Sequence, residues 1–147
     1  MGASHFSGPV YSGAGFISTA GVPHAAYAAN TAATATTLSA ISVAGTADQN
    51  TTIAIINMTG TLGAGAAVTL PTVVDLDAIQ NAQVGDAYIL RVINSSSGAF
   101  AWTVTTNTGW TLNGTMTVAQ NTWRDFIVQF NSTTTATLTT IGVGTYS

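Results

Sequence analysis

Residues 86–106 read DAYILRVINSSSGAFAWTVTT, two β-type runs about a Ser/Gly turn, and the class of the fold follows from them. In "AFAWTVTT" apolar and polar residues alternate, placing Phe100, Trp102 and Val104 on one face against Thr103 and Thr105 on the other, the period of a half-buried strand. "DAYILRVIN" is β-branched and apolar and ends in "SSSG". Upstream, "TIAIINM" (52–58) and "AAVTL" (66–70), the latter stopped by Pro71, predict two more strands. Between them and the opening stretch the period changes. In "TVVDLDAIQNAQVG", Val73, Leu76 and Ile79 recur at helical spacing, Thr72 precedes Asp75 in an N-capping pattern, and Gly85 lies beyond the end. One short helix is expected near 72–82.

Downstream, "GWTLNGTMTV" reads as a hairpin. A three-residue loop, Leu112 to Gly114 with Gly114 left-handed, pairs Trp110 with Met116 and keeps both in one core. "TWRDFIVQF" (122–130) is apolar on both faces, Phe126, Val128 and Phe130 on one and Trp123 and Ile127 on the other, so cover is expected on both sides. The last run, "TTTATLTTIGV", fits a strand along an edge or axis that touches another chain. Together these signals predict an all-β fold, an antiparallel β-sandwich of jelly-roll or immunoglobulin-like kind over residues 48–147, with one short helix. With no fixed repeat period in view, a solenoid or propeller is not expected.

Residues 1–47 differ in texture, Gly/Ser-rich and then Ala/Thr-rich with no sustained period, and predict an extended N-terminal arm that binds a partner. Its leader, "SHFSGPVYSGAGFI" (4–17), holds no Asp, Glu, Lys or Arg. It carries Phe6, Val10, Tyr11, Phe16 and Ile17 among Gly8, Pro9, Gly13 and Gly15, which break any helical or strand period. Such a segment cannot build its own core and needs a surface supplied from elsewhere.

The 147 residues suit one domain with an appendage. Only 5% are charged, against about 25% in ordinary soluble domains. Lys and Glu are absent, and Arg91 and Arg124 stand against Asp48, Asp75, Asp77, Asp86 and Asp125, a formal net charge of -3. Without a basic stripe, a nucleic-acid partner has no electrostatic source. With no Cys there is no disulfide framework or thiolate metal site. No cationic, apolar leader of the secretory kind opens the chain, and every apolar run stops well short of a bilayer span, so no membrane partner is expected. A surface so poor in charge suits cover by copies of itself or by a larger assembly.

Chemistry is thinly represented. His5 and His24, the only histidines, have no carboxylate neighbour in sequence to orient them as a catalytic base. Asp75, Asp77 and Asp86 read as a helix cap, a first-turn residue and a turn residue rather than as hard-cation ligands. No Gly-rich phosphate loop is present. No catalytic, cofactor-binding or metal-binding residue is therefore assigned, and an enzyme is not expected. Trp102 and Trp110 belong to the core pattern, and Trp123 is left as a surface aromatic. Arg91 and Arg124 are expected to pair with Asp125 or Asp86 across strands. Asn50, Asn57, Asn94, Asn113 and Asn131 begin sequons that reflect composition alone.

The leader "SHFSGPVYSGAGFI" and the stretch of residues 69–130, with its Leu-Pro-Thr, short helix, Val-Gly-Asp before a strand containing "VIN", and Gly-Trp-Thr-Leu segment, resemble small structural proteins of tailed bacteriophages. The resemblance implies a capsid decoration (cement) or head-fibre protein. Such a protein would be a homotrimer on the outer surface of the virion capsid, with the major capsid protein as partner. On that analogy His5, Phe6, Pro9, Val10, Tyr11, Phe16 and Ile17 would form a capsid-binding arm. The alternative is a tail-fibre or host-glycan-binding β-domain, with Trp123, Asn107 and Asn131 as its contact surface.

Overall fold

The structure is a computed structural model and describes residues 24–44 and 51–147. Its elements, in order, are β1 (His24–Asn30), β2 (Thr36–Thr37), α1 (Ala40–Ala44), β3 (Thr51–Met58), β4 (Ala66–Thr69), α2 (Val73–Gln80), β5 (Ala87–Asn94), β6 (Trp102–Thr105), β7 (Trp110–Asn113), β8 (Thr117–Val118), β9 (Thr122–Phe130) and β10 (Ala136–Thr145). The fold is mostly β, in two sheets. One has six strands in the order β1-β3-β5-β9-β10-β7, the other four in the order β2-β4-β6-β8.

Strands alternate between the sheets as the chain runs from β1 to β6, so the backbone winds through successive turns. Parallel pairing stacks the turns in a fixed register. Ile53–Met58 faces residues 36 positions later in β5, Ala66–Thr69 faces residues 36 positions later in β6, and the Thr61–Ser97 bridge between them keeps the same offset. Backbone bonds from Leu62 N to Ser97 O, Leu70 N to Thr105 O and Val73 N to Thr108 O continue the ladder through the corners. After β6 the chain reverses, and β8 and β9 pair antiparallel with β6 and β5.

The purely antiparallel order of a jelly roll or an immunoglobulin-like domain is therefore not what these sheets have. Five of the eight strand pairings among the described residues are parallel. Strand-forming patterns report a strand and its buried face but not its neighbour. Residues 24–44, part of the segment read as an arm, form β1, β2 and α1. Their Ala-rich runs are short enough to line up beside β3 and β4 and bury Ala26, Leu38, Val43 and Ala44.

Alternation on the central strands sends one side chain in two into a single core between the sheets. From the large sheet come Ala54, Ile56, Leu90, Val92, Phe126 and Val128, from the small sheet Val68, Trp102, Val104 and Val118. The expected helix is α2. Thr72 caps it, its Oγ1 accepting the Asp75 amide at 3.1 Å and its hydroxyl donating to the Asp75 carboxylate at 2.6 Å. The helix stops at Asn81, left-handed at φ 45°, four residues before Gly85. A second helix, α1, was not expected. Gln80 Nε2 ties the two together by donating to Ala44 O at 2.9 Å.

Two expectations fail locally. The Trp110–Met116 hairpin does not form, because β7 joins the large sheet beside β10 while β8 joins the small sheet beside β6. Trp110 and Met116 nevertheless contact the same core, and Gly114 does hold a positive φ of 90°. Phe100 lies outside β6 and is exposed, since the tight turn closed by its amide on Gly98 O at 2.9 Å carries it off the strand.

Candidate functional site

The outer face of the large sheet is the surface that the core does not use. Register aligns its side chains in three rows across the strands. The first is Ala25, Ile53, Ile89, Ile127 and Thr139; the second is Tyr27, Ile55, Arg91, Asp125 and Gly142; the third is Ala29, Asn57, Ile93, Trp123 and Gly144. The five isoleucines are half-buried by their neighbours in the sheet. No helix or strand of the described residues forms a layer over them. The buried side chains of the helices, Val43 and Ala44 of α1 and Val73 and Leu76 of α2, enter the core instead.

One ion pair sits at the centre. Arg91 donates from Nε to Asp125 Oδ1 at 2.7 Å and from its terminal nitrogen to Oδ2 at 2.8 Å, a bidentate fork between strands in direct register. The hydrogen bond it donates to Asp125 raises the Arg91 pKa above its ordinary value. The same guanidinium stacks on Trp123, 4.2 Å from the ring centroid. Trp123 in turn packs against Gly144, where any Cβ would collide with the indole. Guanidinium, indole and glycine are thus packed one against the next on this part of the face. At the rim, Asn57 donates to the Tyr27 hydroxyl at 3.1 Å.

Asp77, Asp86 and Arg124 bond to the local backbone. Asp77 accepts the Ala82 amide at 3.1 Å and Asp86 the Gln83 amide at 2.8 Å. Arg124 donates to Thr117 O at 2.8 Å, so of the expected cross-strand pairs the structure makes Arg91–Asp125. Among the described residues no three His, Cys, Asp or Glu side chains come together. A groove of about 330 Å³ between the β1–β2 and β3–β4 connections is lined by Ala33, Thr34, Ala35, Gly63, Ala64 and their neighbours to Ala67, none of them ionisable.

The sequence-predicted contact residues are not gathered in one place. Trp123 is the second residue of β9, whereas Asn131 follows its far end and donates to Thr137 Oγ1 at 2.8 Å. Asn107 is occupied by the corner it sits in, donating to Leu70 O at 3.0 Å and accepting the Thr108 amide at 2.8 Å. The arm residues His5, Phe6, Pro9, Val10, Tyr11, Phe16 and Ile17 lie outside the described residues. The Ile rows were not singled out from sequence; the signal was the apolar outward half of "TIAIINM", "DAYILRVIN" and "TWRDFIVQF", strands whose alternation is incomplete. Comparison with family models, with curated proteins and with solved structures returns no match.

Proposed function

We propose that this chain is a virion structural protein, a capsid decoration or cement protein of a tailed bacteriophage that binds the outer surface of the head and stabilises the shell. The observation that carries the reading is the leader. It sets five large apolar side chains among fourteen residues without Asp, Glu, Lys or Arg, directly ahead of a β-fold. Phe6, Val10, Tyr11, Phe16 and Ile17 would lie in grooves between major capsid protein subunits, with His5 and Pro9 beside them. Three copies joined as a homotrimer would present three such arms. Release of one arm is then quickly reversed, because the other two hold it at high effective concentration. The scarcity of charge supports a role on the outside of the shell, where packaged nucleic acid is not touched.

The test is co-sedimentation of the purified chain with undecorated heads, full length against a version lacking residues 1–17. Truncation is expected to abolish co-sedimentation while far-UV circular dichroism stays that of the intact β-fold. Equal binding by both would remove the arm from the mechanism, and glycan binding without head affinity would favour the tail-fibre or host-glycan alternative.

A further inference from the structure

We infer that the outer face of the six-stranded sheet is the surface through which copies of this chain join, each copy turning this face toward the threefold axis of the homotrimer. The inference names the contact for the self-association in the reading above and rests on that reading for the partner being a copy.

The first argument is internal contrast. The outer side of the small sheet carries Ala67 and Thr69 of β4, Thr103 and Thr105 of β6 and Thr117 of β8, and the Thr69 and Thr105 hydroxyls bond to each other at 2.9 Å. That is how this chain meets water. At the equivalent positions on the large sheet it places Ile53, Ile55, Ile89, Ile93 and Ile127. Threonine has the same β-branched shape and strand preference as isoleucine, so strand formation alone does not demand the apolar choice. Burial of the face does.

The second argument is charge. Arg91 and Asp125 neutralise each other through two bonds, and the Asp125 side chain is only 14% exposed before anything covers it. The costly part of covering charges, leaving them without partners, has already been met inside the sheet. The patch as a whole is neutral. A charged partner would find no counter-ion on it, whereas a second copy brings the same neutral rows and the same pre-paired centre.

The third is area. Five strands about 4.8 Å apart and about 25 Å long make a face of roughly 600 Å², close to the ~800 Å² that each partner contributes to a stable interface. Tyr27 and Asn57 supply the polar rim.

The experiment is sedimentation velocity of the free protein, without heads, across micromolar concentrations, so that a failure of self-association is distinguishable from a failure of capsid binding. The wild-type chain is expected to sediment as an oligomer. The triple variant Ile53→Thr/Ile89→Thr/Ile127→Thr is expected to sediment as a monomer with an unchanged far-UV spectrum. Val84→Thr, which alters an exposed side chain outside the face, should behave as wild type. Should the triple variant not fold, Ile89→Thr alone is expected to weaken association about tenfold or more, read as a shift of the dissociation curve on dilution. A wild-type chain that is monomeric throughout, or a folded triple variant as oligomeric as wild type, overturns the inference. So does a wild-type monomer that associates only once residues 1–17 are deleted, which would make the chain's own leader the occupant.

Discussion

Tyr88 shows how much one buried polar atom can decide. It points inward from β5, donates to Val43 O at 3.0 Å, and burial pushes its phenol well above the ordinary range. In the unfolded chain the phenol loses its proton near pH ~10, while in the folded chain it keeps it. Stability is therefore whole below that pH and declines as pH rises through and beyond it, by up to ~1.4 kcal/mol per pH unit. Tyr88→Phe is expected to cost about 1 kcal/mol at neutral pH through the lost bond and to flatten the alkaline decline, which urea unfolding at neutral and at alkaline pH measures. Asn94 is a second such atom set. Fully buried, it donates to Phe100 O and Val118 O, each at 3.0 Å, and accepts the Ser96 amide at 3.2 Å. Asn94→Ala removes both donated bonds and the accepted one from the core and is expected to cost about 3 kcal/mol in equilibrium unfolding. Asn94→Asp, which turns an acceptor toward the same two carbonyls, should cost more. From sequence Trp102 and Trp110 were readable as core and Arg91 as a partner of Asp125 or Asp86, because alternation and cross-strand charge are local signals. Asn94 was not, since a polar residue before "SSSG" reads as the start of a turn and its acceptors lie six and 24 residues away.

At the scale of elements, α2 was legible because its determinants are its own residues. Thr72→Ala removes the cap and is expected to lower stability by about 1 kcal/mol in thermal or urea unfolding. The Trp110–Met116 hairpin was misread because Gly114 forces a turn without saying where the two arms go. Beyond it, β7 finds β10 in parallel, Trp110 opposite Ala136, while Thr117 and Val118 find β6. Partner choice of that kind depends on residues far along the chain. The outermost strand shows the same dependence. β7 covers only Ala136–Thr139 of β10, so from Thr140 onward the edge has no strand beyond it among the described residues, and Ile141 and Val143 are exposed. Natural sheets usually guard such an edge with a charge, lysine above all, and this chain has no Lys.

At the scale of the whole molecule the governing fact is the stacked register, and it was invisible because it repeats in the backbone and not in the side chains. Ile53 over Ile89 and Val68 over Val104 look like a repeat, but Ala66 over Trp102 and Asn57 over Ile93 do not. The offsets also change between turns. Ala25 faces Ile53 and Asn30 faces Met58, 28 positions on, whereas Thr36 faces Val68, 32 positions on. Between register-matched points the chain from β3 into β4 therefore already carries four residues more than the chain from β1 into β2. The extra length sits near Gly63, where an added Cβ would meet nothing within 4 Å. The β5–β6 connection has no such slack. Gly98, at φ 95°, is pressed against the Leu62 carbonyl, the Thr61–Ser97 bridge stacks on it, and Trp102 Nε1 donates to Ser96 Oγ at 2.8 Å. Loop entropy alone charges little for length, about 0.6 kcal/mol per doubling, so any large difference between the two connections must come from stacking. A Gly-Ser-Gly-Ser insertion after Gly63 is accordingly expected to cost about 1 kcal/mol or less. The same insertion after Gly98 should cost about 3 kcal/mol or more, since it breaks buried hydrogen bonds that hold the turns in register. Urea unfolding of the two variants measures the difference; equal losses at both sites would mean that the turns are not locked through the β5–β6 corner, and the stacked course would no longer explain how the sheets are aligned.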